Sequence, residues 1–298
     1  MILNKLNNKW EPGVAPVAVI MLSLNEGHNM ENVCKNLKGW AQEVFLVDSY
    51  SQDDTIDIAL NHGVRVVQRK FTDFGDQWNF AINNLDVSAK WTMKLDPDEI
   101  LTDELKKSII DKINENKVNG IKFSRQWWLM NNKLPISDIV LRVWKTGYCK
   151  FSETAVNEHP DVEGKIELVS GIMQHYDSPN LDHWLEKQNR YTTAEAINLY
   201  KKMPLADTPN LFGSSLQRRM WIKSNFYSIP FRYSLLFLYY WIWKGLYKSG
   251  WVGYASARLW SDVIRLREYK YREMKITGKI PNKRIYGPGK PDLRIKQF

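Results

Sequence analysis

Between residues 17 and 95 short apolar runs alternate with stretches whose apolar residues recur at helical spacing, and no other feature of the chain restricts its fold as much. VAVIMLSL (17–24) is followed by Asn25, Glu26 and Gly27, then by Met30, Val33, Cys34 and Leu37 up to Gly39. EVFLVDS (43–49) leads into DDTIDIALNHG, closed by Gly63; VRVVQ (64–68) leads to DQWNFAINNL; WTMKL (91–95) ends the series. Continuous apolar runs suit strands covered on both faces, and strands separated by helices pair in parallel. The expected fold is therefore α/β: a Rossmann-like, mostly parallel sheet with helices on both faces. Ligands of such sheets gather outside the carboxyl ends of the strands, where Asn25, Asp48 and Asp96 fall.

WTMKLDPDEI (91–100) sets three carboxylates, Asp96, Asp98 and Glu99, against the end of an apolar run. Two readings stand open on this stretch. Asp96 with Pro97 and Glu99 has the form of a capping box at a helix start. Yet Thr102 followed by Asp103 and Glu104, with Leu105, Ile109, Ile110 and Ile113 in helical register, is a second start signal that leaves the earlier carboxylates in a loop. Such a loop suits a metal. No G-x-G-x-x-G follows the first run and no G-x-x-x-x-G-K-[ST] occurs, so neither glycine-rich phosphate cradle is available. Mg2+ or Mn2+ takes one or two protein carboxylates while a nucleotide diphosphate and water complete its shell. His175, in GIMQHYDSP, is a candidate third ligand or a structural hydrogen-bonder; Asp53 and Asp54 read as helix caps. Trp127 and Trp128, before Asn131 and Asn132, read as an acceptor-stacking surface or as core.

The chain of 298 residues has only two cysteines, Cys34 and Cys149, and its first 16 residues form a polar arm without a continuous apolar segment. A reducing compartment and no secretory signal are the expectations. Charge is divided unevenly. From Ser215 onward 18 Lys and Arg face four acids, a balance of +14 within an overall +9, which leaves −5 on the first 214 residues. Two surfaces with different partners are implied.

The basic part includes IPFRYSLLFLYYWIWKGLYKSGWVGYA (229–255), in which only Leu235 to Trp243 is uninterrupted apolar sequence. Those residues rise about 13.5 Å as a helix, under half of a ~30 Å hydrocarbon core, so the segment does not span. Trp and Tyr favour the membrane boundary, and Arg232, Lys244 and Lys248 lie where anionic headgroups would be. The reading is an interfacial helical segment continued by the basic helix SDVIRLREYKYREMK; a helical hairpin packed on the protein is compatible with it. Nucleic-acid binding also suits basic residues among aromatics, but it leaves the acidic strand ends unexplained.

In SLNE (23–26), VDSYSQDDT (47–55), FGDQWNFA (74–81), LDPDE (95–99), VNEHP (156–160) and KQNRYTTAEA (187–196) the chain resembles bacterial family-2 inverting glycosyltransferases of the GT-A fold, in particular the branch building lipopolysaccharide core and related surface glycans. The resemblance implies a GT-A domain over 17–178 and a helical, membrane-associating region over 179–298. It implies that Asp48 binds the nucleotide base, with Asn25, Glu26, Ser51, Gln77 and Asn79 around the donor. Asp96 and Asp98 would form the metal-binding Asp-x-Asp, Asp98 most directly, and Glu158 would be the general base. Two positions depart from the family: Trp78 stands where Arg is usual, with Arg142 able to take over a donor-phosphate contact, and Asn157 stands where His is usual. The implied activity is inverting transfer from a nucleotide-diphosphate sugar, a UDP-sugar foremost, to a lipid-linked or lipopolysaccharide-type acceptor. The place would be the inner face of the cell membrane, with an anionic membrane surface rather than nucleic acid as partner. A nucleotide-sugar-binding scaffold without turnover is the alternative.

Overall fold

The computed structural model describes residues 8–151, 159–202, 208–281 and 289–298. Its first elements follow the expected alternation: β1 (Ala15–Ser23), α1 (Gly27–Leu37), β2 (Ala41–Asp48), α2 (Thr55–Asn61), β3 (Arg65–Gln68), α3 (Phe74–Asn84) and β4 (Trp91–Lys94). Next come the short β5 (Glu99–Leu101), α4 (Asp103–Glu115), the long neighbours β6 (Gly120–Leu129) and β7 (Asn132–Lys145), β8 (Cys149–Phe151), β9 (Pro160–Val162) and β10 (Ile166–His175). Helices α5 (Leu181–Tyr200), α6 (Ser215–Asn225), α7 (Arg232–Leu238) and α8 (Gly250–Thr277) follow, and β11 (Lys296–Gln297) returns to the sheet.

Among the described residues nine strands form one sheet in the order β11-β3-β2-β1-β4-β7-β6-β10-β5, and β8 pairs with β9. The pairs β11–β3, β3–β2, β2–β1, β1–β4 and β6–β10 are parallel, whereas β4–β7 and β10–β5 are antiparallel. The expected class, a mostly parallel sheet with helices on both faces followed by a helical region, is what the structure shows. Successive side chains of β1 divide between two cores, as strand geometry requires. Val17, Val19 and Met21 pack with Met30, Val33 and Leu37 of α1 and with Leu105 and Ile109 of α4. Ala18 and Ile20 pack with Trp78 and Ala81 of α3 and with Trp144 and Phe151. Both cysteines are free and buried, and burial pushes both thiols up to about 12, which keeps them protonated at neutral pH.

The chain divides into two compact units: Met1–Trp128 with Ser137–Asp177 and Arg284–Phe298, and Leu129–Ile136 with Ser178–Lys283. In the first, Thr102 caps α4 as its sequence signal implies, its hydroxyl accepting from the Leu105 amide. Opposite that cap the pairing of β10 with β6 slips between Leu168 and Ile172. Gly171 sits in the slip at φ +94°, and a Cβ there would stand 2.5 Å from the Leu105 Cα. The bulge thus sets the phase in which the end of β10 reaches the sheet edge. Gly171→Ala adds both a left-handed strain and a backbone clash, and is expected to lower stability by about 2 kcal/mol, read as an earlier urea midpoint.

In the second unit residues 229–255 form the hairpin that the sequence left open beside the interfacial segment. Helix α7 passes into a π-helical turn (Tyr239–Trp243), Gly245 at φ 76° breaks it, and a 3-10 turn (Leu246–Ser249) leads into α8. Gly245 ends the first arm because only glycine adopts that backbone at little cost. The result is a helical hairpin. Its two arms are clamped by Glu268, almost fully buried, which accepts a bidentate pair from Arg232, a bond from the Tyr233 hydroxyl and another from Arg272.

Candidate functional site

The loops after β1 and β2 are tied together by side chains named from the sequence. Asp48, fully buried at the end of β2, accepts from the Ser23 hydroxyl at 2.9 Å, from the Ser51 amide at 2.9 Å and hydroxyl, and from the Gln68 amide nitrogen at 3.0 Å. Asn25, at φ 58°, accepts from the Gln52 amide at 2.8 Å, and its own amide donates to the Ser51 hydroxyl. Glu26 donates through its backbone to Thr55. Asp53 accepts from the amides of Gly27 and Thr55 and so holds the starts of α1 and α2, while Asp54, at the N-cap of α2, makes no side-chain cap bond. Asp48 thereby sets the shape of the loop that Asn25 and Ser51 share.

After β4 the chain makes a turn and no helix. The Glu99 amide donates to the Asp96 carbonyl at 2.9 Å, and the Glu99 carboxylate reaches back to the Asp96 amide at 2.9 Å. This is the return half of a capping box used to fasten a β-turn, and α4 starts after Thr102 instead. The turn hands the chain to β5, which runs antiparallel to β10 with Glu99 opposite His175, and the Tyr176 amide donates to the Asp98 carbonyl. That register brings the Asp98 and His175 side chains together, Oδ2 to Nε2 at 3.2 Å. Asp177 joins them: one ligand atom from each of the three residues lies within 4.8 Å of the others. The Trp127 and His175 rings meet edge to face, with centroids 4.5 Å apart.

Two carboxylates and an imidazole form a donor set suited to Mn2+ or Mg2+, the imidazole favouring Mn2+. Asp98 and His175 are both buried, and His175 Nδ1 has no hydrogen-bond partner among the described residues. Burial pushes the imidazole down, but Asp98, Glu99 and Asp177 outweigh it and raise it overall. The same carboxylates make the cluster electronegative, which suits a cation, and His175 ligates a metal only as the neutral imidazole. Asp96, expected as a ligand, is not in this group. It faces Arg142 instead, at 3.0 Å, and although burial opposes ionisation, Arg142 and Lys94 hold its carboxyl below the usual range.

Arg142 is buried and also holds Glu99 at 2.6 Å, so it orients the turn from beneath. Glu99 is fully buried, and burial raises its carboxyl despite Arg142 and His175, while Arg125 lies 3.5 Å away. Removing one partner of a buried charge costs more than the pair contributes. Arg142→Met is therefore expected to cost about 2–3 kcal/mol, and adding Glu99→Gln should restore part of it, a non-additivity that denaturant melts of the two single variants and the double variant will read.

On α3 the two residues expected around the donor, Gln77 and Asn79, make bonds within the protein. The Asn79 amide group both donates to and accepts from the Phe151 backbone at 3.0 Å, and Gln77 accepts from Arg69 at 2.7 Å. Trp78 is buried, stacked on Phe151 at 5.5 Å, and Lys94 places its ammonium over the Trp78 ring at 4.6 Å. A second cation near Asp96, after Arg142 of β7, is thus supplied from β4. Asp177 and Lys94 escaped the sequence reading; for Asp177 the available signal was the His-x-Asp spacing at a strand end. Glu158, with Asn157 and Glu153, lies outside the described residues. An open cleft of about 450 Å3 near Pro16, Gln42 and Trp91 lies at the opposite, amino ends of the strands.

Residues 18–150 match the model of the family described as Glycosyl transferase family 2. That stretch contains Asn25, Asp48, Asp96, Asp98 and Arg142; Glu158, His175 and Asp177 lie beyond it. An uncharacterized glycosyltransferase of Rickettsia prowazekii is 24% identical over 202 residues, covering 62% of this chain and 68% of the relative. One from Rickettsia typhi is 24% identical over 209 residues with the same shares. Among solved structures, Mycobacterium tuberculosis glucosyl-3-phosphoglycerate synthase, in complex with Mn2+, UDP and glucosyl-3-phosphoglycerate, is 22% identical with a TM-score of 0.30. The match covers 37% of this chain and 43% of the synthase, so the chain spans under half of that protein's length. S. aureus TarS 1–349 is 14% identical over 92% of this chain and 98% of its own, with a TM-score of 0.43.

Proposed function

We propose that this chain is a metal-dependent, inverting family-2 glycosyltransferase that moves a sugar from a nucleotide-diphosphate sugar, a UDP-sugar foremost, to a glycan or glycolipid acceptor of the lipopolysaccharide type on the inner face of the cell membrane. The observation that carries this reading is the Asp98, His175 and Asp177 cluster at the carboxyl end of a parallel sheet whose residues 18–150 match the family model. Asp98, His175 and Asp177 would hold Mn2+ or Mg2+. When bound, the cation neutralises the charge that gathers on the leaving diphosphate, which stabilises the transition state more than the ground state.

The chain's own residues do the rest. Asp48 holds Ser51, and Asn25 holds Gln52, so the loop that would receive the base is set before the donor arrives. Arg142 braces the Asp96–Glu99 turn and so fixes where Asp98 points. Glu158 takes the proton of the acceptor hydroxyl as its oxygen attacks the anomeric carbon from the face opposite the diphosphate; one displacement inverts the centre and needs no covalent intermediate.

The test is a thermal-melt screen of nucleotide sugars with and without Mn2+. A ligand present at 100 times its Kd and bound only by the native state adds about 2.7 kcal/mol, a rise of several degrees. The expected result is stabilisation by a UDP-sugar with Mn2+ and little by either alone, followed by transfer to a glycan acceptor. Stabilisation without transfer to any acceptor would leave a binding scaffold, and no stabilisation by any nucleotide sugar would overturn the reading.

A further inference from the structure

From Leu235 to Trp243 helix α7 and the π turn after it carry apolar and aromatic residues on both faces, and among the described residues only one face is covered. The inward residues Phe237, Tyr240 and Trp241 pack their rings against Tyr254 and Trp260 of α8. The outward residues Leu235, Leu238, Tyr239, Ile242 and Trp243 recur at i, i+3, i+4, i+7 and i+8, the spacing of a helix face meant for an apolar partner. Here that face is open, with Ile242 59% and Trp243 83% exposed, and Trp251, 71% exposed, stands at the start of α8. A contiguous apolar patch on this scale marks an interaction surface. Among the described residues no helix is long and apolar enough to cross a membrane.

We propose that this stripe, with Lys244 and Lys248, docks the protein in the plane of an anionic lipid bilayer, on the headgroup–acyl boundary. Charge chooses the occupant. The Lys244 ammonium lies over the Tyr239 ring at 5.8 Å and that of Lys248 over the Tyr247 ring at 5.9 Å, so cations and exposed rings share one surface. Residues 215–261 contain seven Lys and Arg and no Asp or Glu. A second copy of the same surface would set these cations against their own kind across a two-fold contact. Single-stranded nucleic acid would use the rings but not the aliphatic Leu235, Leu238 and Ile242, which have no base to stack on. A bilayer uses both: branched side chains and indoles enter the boundary while the ammonium groups meet lipid phosphates. The stripe rises only about 12 Å, which suits lying in the interface rather than crossing it. Docking needs no nucleotide sugar, so it stands or falls apart from the donor chemistry.

The test is co-sedimentation of the full-length protein with phosphatidylcholine vesicles carrying graded phosphatidylglycerol, beside titration with a single-stranded DNA oligonucleotide, all without nucleotide sugar. Binding should rise with anionic content and fall with salt. Lys244→Gln with Lys248→Gln should weaken binding to anionic vesicles about thirty-fold and leave the weak binding to neutral vesicles unchanged. Ile242→Ser with Trp243→Ser should weaken both by about tenfold or more, with an unchanged melting point because both side chains are exposed. Wild-type vesicle binding by both double variants, or preference for DNA over vesicles, would overturn the proposal. So would sedimentation velocity showing that Ile242→Ser with Trp243→Ser merely dissociates a dimer.

Discussion

Asp98→Ala is expected to lower Mn2+-dependent transfer by about 10³-fold or more, the scale of the several kcal/mol that a bound cation contributes to a developing charge. Asp98 is the one member of the Asp-x-Asp pair that faces His175 and Asp177, whereas Asp96 faces Arg142. The two substitutions should therefore separate. Asp98→Ala should abolish the rise in melting point that Mn2+ with UDP produces, and added Mn2+ should not restore it. Asp96→Ala should retain Mn2+ binding but disturb the turn, lowering stability as well as rate. Calorimetric titration of Mn2+ into each variant, with no sugar donor present, checks the assignment independently of turnover. Unchanged Mn2+ affinity in Asp98→Ala would sink it, and loss of affinity in Asp96→Ala alone would return the metal to Asp96.

Glu158→Gln is expected to slow transfer by roughly 10²–10⁴-fold, the usual contribution of a positioned base. Donor and metal binding should persist, because the amide keeps the shape of the side chain and removes only its basicity. The signature is a fall in kcat at nearly constant KM for the donor, together with loss of the acid limb of the pH–rate profile. Near-normal transfer would move the role to Asp161 or Glu153.

Much of the fold was legible because its signals are local. The continuous apolar runs of β1 and β2, the glycine stops after α1 and α2 and the Thr102 cap each depend on a few adjacent residues, and all appear where the sequence places them. The carboxyl-end position of Asn25, Asp48 and Asp96 follows from the same alternation. His175 could be named from the sequence only as a candidate third ligand or a structural hydrogen-bonder, and its contact with Asp98 was not local. That contact depends on a three-residue strand, β5, and on a bulge at Gly171, both tertiary features that leave little trace in periodicity. Lys94 was hidden for another reason: a strand residue with a charged end reads as exposed, whereas here its ammonium lies over the rings of Trp78 and Phe151 and near Asp96. Gly245 is a breaker visible in the sequence, but the aromatic residues on either side masked its effect.

The return of β11 to β3 carries a consequence for how the molecule forms. Gln68 accepts from the Asp292 amide and from Gln297, 224 and 229 residues further along, while its own amide supports Asp48. Contacts of such sequence separation are slow to form, because the intervening chain must first be ordered or looped out. During synthesis the edge of β3 therefore stays open while the helical unit is being made, exposing an unpaired row of backbone groups next to an apolar core. A chaperone that shields this edge, or a peptide of residues 289–298 supplied in trans to a chain lacking them, should raise the yield of soluble protein. Refolding should show a late phase in which Asp48 becomes fixed only when the distant strand arrives.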